Sequence, residues 1–256
     1  MTDGKPVRSL KGQVSEAEWR TRVDLAALYR LVALQGWDDL VFTHISARLP
    51  TEEPQFLINP YGMLFGEMTA SALVRVDMDA NILEDRQVLI NPAGFTIHSA
   101  VHAARADAHF VIHLHTDSGV AVSAQREGLL PISQHALIVA PHLAYHDYEG
   151  IALNLDERQR IVADLGAKSL MLLRNHGTLA VGNTPGAAWL AAFYLERACA
   201  VQIKALSAGR DRVLEAPVAA RDEVQAMTER ALPGGGMLVW PGSLRLLDRQ
   251  SPGYDA

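Results

Sequence analysis

The sequence predicts a single α/β domain built in layers, with a sheet at the core and helices outside it. Segments with a helical period alternate along the chain with segments of period two. No Gly/Ser linker or internal repeat interrupts that alternation. The 256 residues are 49% hydrophobic, enough for one large or two small domains with a sizeable core.

Residues 1–14 are expected to form a flexible arm. Ser15-Glu16-Ala17-Glu18 then reads as a capping box, and Leu25, Leu28, Tyr29 and Val32 recur at i, i+3, i+4 and i+7 as one apolar stripe. Gly36 is placed to end that helix. From 42 to about 89 the period falls to two, with Ile45, Ala47 and Leu49 alternating with His44, Ser46 and Arg48. Phe56-Leu57-Ile58 precedes an Asn-Pro-Tyr-Gly turn at 59–62, and short strands are expected near 73–77 and 87–90. Residues 95–104 read as a helix, 110–115 as a strand and 117–125 as a helix. The stretch 130–150, rich in Pro, His and Tyr, is expected to loop around a short strand at 137–139. A helix at 156–165 and a strand at 169–173 follow. Thr184 before Pro185 marks a helix start, and that helix should run to about 207, stopped by Gly209. One more helix is expected near 219–231, ahead of a Pro/Gly-rich end.

The composition excludes several function classes. A net charge of −6 with a pI near 5.9 provides no basic field for nucleic acid or anionic lipid. No apolar run approaches the ~20 residues of a membrane helix, and the polar start from Met1 to Lys11 is no signal peptide. The single cysteine, Cys199, rules out an internal disulfide and fits a reducing compartment. A cytoplasmic protein with no nucleic-acid or membrane partner is the expectation. There is no Gly-x-Gly-x-x-Gly and no phosphate loop.

The chemistry lies in the histidines. His113 and His115 alternate with Phe110, Ile112 and Leu114, so a strand turns both imidazoles to one face, half of a metal site. His176 follows a buried-strand pattern, and Gly177 allows the tight approach that aims its ring. Three neutral imidazoles with an open position are the layout of a catalytic metal centre. His98 and His102, at i and i+4, share a helix face and are either a second metal pair or surface histidines. His44 faces away from the apolar set of its strand. Tyr145-His146-Asp147-Tyr148 is a polar, aromatic cluster suited to lining a pocket.

On these residues the chain resembles the class II aldolase/adducin family from about Val23 to Gly209. The likeness rests on His113-Leu114-His115, Arg174-Asn175-His176-Gly177 and the run from Asn91 to Ala100. Gly128-Leu129-Leu130-Pro131-Ile132-Ser133 and Ala144-Tyr145-His146-Asp147-Tyr148 resemble the adducin head in particular. The resemblance implies a nine-stranded type of three-layer α/β/α fold with a mainly antiparallel central sheet. It also implies a homotetramer with sites at subunit interfaces, and zinc on the three histidines, Fe(II) or Mn being alternatives. Residues 15–210 would form the family domain, with 211–256 a helix and tail packed on it. In the sugar-phosphate aldolases of the family the metal polarises an enediolate oxygen and a glutamate moves the proton on carbon. That glutamate falls nineteen residues before the first metal histidine, and here the position is Gly94. The accompanying serines are replaced by Pro92 and Ala93, and the phosphate-binding Gly-Asn by Thr43-His44. A phosphorylated sugar is therefore not the expected substrate.

Three functions stay open. The first is a metal-dependent lyase, of aldolase or decarboxylase type, taking a small non-phosphorylated carbonyl or hydroxy/keto acid through a metal-stabilised enolate. His44, His98 and Tyr145 are candidate bases, and Thr43, Gly94, Asn175 and Arg174 candidate substrate contacts; Arg174 would pair with a substrate carboxylate or with an acidic neighbour. The second is a non-haem iron oxygenase on the same three histidines, which needs no carbon base. The third is a non-catalytic, adducin-like oligomeric binding module.

Overall fold

The computed structural model describes residues 8–150 and 156–256; residues 1–7 of the expected arm lie outside them. The first helix, α1 (Glu16–Leu34), starts where the capping signal lies, with the Ser15 hydroxyl accepting from the Glu18 amide at 3.2 Å. Gly36, with φ +67°, makes the left-handed turn that ends it. Three strands follow, β1 (His44–Arg48), β2 (Gln55–Ile58) and β3 (Val74–Asp77), paired antiparallel in succession. Then come α2 (Pro92–Ala104), β4 (Phe110–Leu114), α3 (Asp117–Ser123) and α4 (Gln134–Val139). The chain continues through β5 (Leu143–His146), α5 (Glu157–Leu165), β6 (Leu170–Leu173), β7 (Gly177–Gly182), α6 (Pro185–Leu206) and α7 (Val218–Gln250).

The strands form one sheet in the order β3-β2-β1-β4-β7-β6-β5, in which every pair is antiparallel except β5 with β6. The mainly antiparallel sheet is as expected, with seven strands among the described residues rather than nine. Period-two alternation divides the core between its faces. Ile45, Ala47, Phe110, Ile112 and Leu114 pack with α1, α3, α4, α6 and α7. Val111, Met171, Leu173, Leu179 and Val181 pack on the other side with Ile97 and Val101 of α2 and Ile161 and Leu165 of α5. The result is three layers.

Three local expectations fail. Residues 137–139 lie in α4, capped by the Ser133 hydroxyl, with Ala136 and Val139 buried one turn apart as a helix face requires. Residues 87–90 form no strand; Val88 and Ile90 pack on the Phe56/Val74/Phe95 cluster, using their apolar surface without ladder bonds. The last helix does not stop at 231 but runs through Gly234 to Gly236 and Pro241 to Gln250. There Gly236 serves packing: a Cβ on it would stand 2.4 Å from the Ala187 amide nitrogen, so α7 crosses α6 backbone to backbone. Among the described residues no helix is long and apolar enough to cross a membrane.

Candidate metal centre

β4 sends Phe110, Ile112 and Leu114 into the α1/α6 core, so His113 faces the α2 side of the sheet. His115 follows at the strand end. β7 lies antiparallel to β4, and the turn that enters it carries His176. Asn175 holds a left-handed φ of 56° in that turn, and Gly177 must lack a side chain, because a Cβ there would lie 2.3 Å from the Leu114 carbonyl oxygen. The register brings the three rings together with centroids 4.8, 4.8 and 4.9 Å apart. One nitrogen from each lies within 4.8 Å of the others.

The hydrogen bonds fix which nitrogens are bare. A carbonyl or a carboxylate only accepts, so His113 Nδ1 donates to the Thr178 carbonyl at 3.0 Å and His115 Nδ1 donates to Asp39 Oδ2 at 3.1 Å. As neutral rings, both therefore present unprotonated Nε2 atoms, and these face one another at 3.0 Å. Burial, with His176 and His115 close by, holds His113 well below the usual imidazole range, so His113 takes no second proton to relieve that contact. Burial likewise brings His176 down to about 4. A divalent ion held by these nitrogens would relieve the contact, since each bare nitrogen would then have a cation to bind. The carboxylate and carbonyl behind the two rings are the outer partners that orient metal-binding imidazoles. The donor set fits a divalent metal.

His44 is the register partner of His113 across β1 and β4, and the two rings stack at 5.1 Å. Gly94 lies directly behind it: a Cβ there would be 2.4 Å from His44 Cδ2 and 2.7 Å from Nε2. His44 Nδ1 meets His98 Nε2 at 2.9 Å, and His98 Nδ1 meets the Ser46 hydroxyl. That hydroxyl reaches His102 Nε2 at 2.7 Å, and His102 Nδ1 ends on the Ala108 carbonyl at 3.0 Å. All four side chains are buried. Burial lowers His44 and His102 to about 3 and His98 well below its ordinary value, so the rings are neutral.

The three histidines and His44 open on a cavity of about 570 Å³. Phe42, Tyr61, Tyr148, Ile97 and Val120 form its apolar wall, and Asn91 and Asn175 bring amides. No Lys, Arg, Asp or Glu lines it among the described residues. On the far side of His115, Glu196 is buried and accepts from the Thr116 and Thr178 hydroxyls, the latter at 2.7 Å. Burial pushes its carboxyl up to about 7.

The other sequence candidates divide. Asn175 reaches the cavity and Gly94 backs it. His98 and His102 are neither a metal pair nor surface groups but members of the buried chain behind His44. Thr43 is buried beside the cavity without lining it, its hydroxyl unpartnered among the described residues. Tyr145 and Arg174 stand outside: the Tyr145 hydroxyl accepts from the Leu129 amide at 3.1 Å. The Arg174 guanidinium covers the Tyr145 ring at 4.4 Å and donates to the Gln125 carbonyl at 2.7 Å. Sequence reasoning missed Asp39, Thr178 and Ser46. The signal for Thr178 was the period-two run after Gly177, a strand that was not expected; Ser46 and Asp39 gave none beyond polarity.

A sequence model described as "Class II Aldolase and Adducin N-terminal domain" matches residues 23–203. A provisionally named aldolase class 2 protein of Caulobacter vibrioides is 68% identical over 255 residues, covering 99% of each chain. Rat alpha-adducin is 44% identical over 209 residues, which is 79% of this chain and 28% of the adducin. Among solved structures, an aldolase II superfamily protein from Pseudomonas syringae superposes with a TM-score of 0.92 at 48% identity, covering 97% of this chain and all of that one. L-fuculose 1-phosphate aldolase from Glaciozyma antarctica PI12 superposes with a TM-score of 0.79 at 26% identity, covering 96% of each chain. The fold is that of the class II aldolases, and the chain belongs to the class II aldolase and adducin N-terminal domain family.

Proposed function

We propose that the chain is a metal-dependent lyase of the aldolase or decarboxylase type, holding a divalent ion, zinc foremost, on His113, His115 and His176. Its substrate would be a small non-phosphorylated carbonyl compound or hydroxy/keto acid, and its setting a cytoplasmic homotetramer. The observation that carries the reading is the pair of bare Nε2 atoms on His113 and His115, 3.0 Å apart with both Nδ1–H groups committed elsewhere. When bound, such an ion supplies Lewis-acid polarisation of substrate oxygens. The chain's own groups supply the rest. Asn91 and Asn175 offer amides to substrate oxygens, and Phe42, Tyr61 and Tyr148 keep water from one wall. His44, the remaining imidazole of the cavity, takes the proton in place of the carboxylate that Gly94 lacks. Among the described residues no Lys or Arg lines the wall, so a phosphate finds no charged side chain there.

The test is elemental analysis of protein purified with and without air, free of added metal or chelator. Tightly held zinc, near one per chain in both samples, is the expected result. Stoichiometric iron in the anaerobic sample alone would replace this reading with the iron oxygenase, whose chemistry needs no carbon base. A stable oligomer that neither retains nor rebinds metal would sink both and favour an adducin-like binding module, the reading that the alpha-adducin identity supports.

A further inference from the structure

The hydrogen-bond chain behind His44 has only one consistent set of protons. It must be read from its far end, where the Ala108 carbonyl can only accept, so His102 carries its proton on Nδ1 and leaves Nε2 bare. The Ser46 hydroxyl then donates to His102 Nε2, which leaves its oxygen to accept from His98 Nδ1. His98 Nε2 is bare in turn and accepts from His44 Nδ1. Each link follows from the one before, provided the rings are neutral, as their complete burial makes them. The series ends at the cavity with His44 Nε2, which has no hydrogen-bond partner among the described residues.

We infer that Ser46, His98 and His102 are positioning residues that hold His44 as its Nδ1–H tautomer, so that the cavity meets a bare Nε2. A histidine side chain free in water prefers the opposite tautomer, with the proton on Nε2. Only the relay, anchored on one backbone carbonyl 64 residues further along the chain, reverses that preference. The consequence is chemical selection. The group of a ligand that faces His44 must bring its own proton, as a hydroxyl does, and an anionic oxygen there meets a lone pair. Together with the absence of a lining Lys or Arg among the described residues, this assigns the cavity to hydroxy-carbonyl compounds rather than to phosphates or dianions. The use of that edge as a proton acceptor rests on the lyase reading; the tautomer itself does not.

The experiment is long-range ¹⁵N–¹H NMR of the histidine rings in the full chain, zinc-loaded and zinc-free, at neutral pH. His44, His98 and His102 are each expected to show a protonated Nδ1 and a bare Nε2 in both forms. A protonated Nε2 on His44 in the unaltered protein overturns the inference with no variant needed. Ser46→Ala removes both the acceptor for His98 and the donor to His102. It is expected to move the His44 signals toward the average of two exchanging tautomers while zinc per chain stays unchanged, and an unaltered His44 spectrum in that variant also overturns it. His102→Gln keeps an acceptor for the Ser46 hydroxyl and should preserve the His44 tautomer, which separates loss of the relay from general disturbance. Failure to bind zinc would sink the metal reading alone, since the tautomers are read in its absence.

Discussion

Two side chains near the centre set measurable properties of the protein. Gly94 and His44 compete for one volume: the His44 ring is clamped by the His98 bond and the His113 stack and cannot yield to a Cβ 2.4 Å away. Gly94→Ala should therefore cost about 1–3 kcal/mol by overpacking. Urea unfolding checks this, and an unchanged midpoint would mean that His44 has room to move. Glu196 governs a pH dependence. Its carboxyl, ordinary value 4.5, is raised to about 7 in the folded protein. Between those values the folded chain holds a proton that the unfolded chain has released. Stability from this group is thus greatest below 4.5, falls as pH rises to 7 by about 3 kcal/mol, and is level beyond. Glu196→Gln should flatten that slope in urea midpoints measured from about pH 5 to 8. The metal triad was legible in sequence because a strand's period of two forces His113 and His115 to one face. The partners that fix their protons were not, since Asp39 and Thr178 come from segments brought together only by the fold.

At the scale of elements, α6 and α7 cross where neither has a side chain to spare. Gly236→Ala puts a methyl 2.4 Å from the Ala187 amide and should lose about 1–3 kcal/mol, although alanine favours a helix by roughly 1 kcal/mol elsewhere. Gly234, in the same helix with nothing within 4 Å, supplies the control: Gly234→Ala should be neutral or stabilising in the same thermal melts. Equal losses at both sites would refute the packing account. This crossing explains why the end of α7 was illegible, since glycines and Pro241 normally stop a helix and here tertiary contact outweighs that local preference. Elements with their own local signals, such as α1 with its Ser15 cap and α6 with Thr184-Pro185, were read to within a residue or two. The six residues of α4 were too few for a period to show, and the strand of β5 was hidden in a Pro- and His-rich stretch.

For the whole molecule, the proposed ion would join β4 to the turn before β7 and so act on global stability. Zinc at about one hundred times its dissociation constant should add ~2.7 kcal/mol to unfolding. The His113→Ala, His176→Ala double variant should keep its circular dichroism while losing that increment. A double variant that still bound metal stoichiometrically would show the ion to lie elsewhere. The chain of hydrogen bonds that leads inward from His44 also has a bearing on isotopes. It terminates on a backbone carbonyl, which cannot take a proton onward. A deuteron lifted from substrate carbon by His44 would have no inner exit and could leave only by the cavity mouth. With a ligand filling that mouth, the label should return to the product faster than water washes it out.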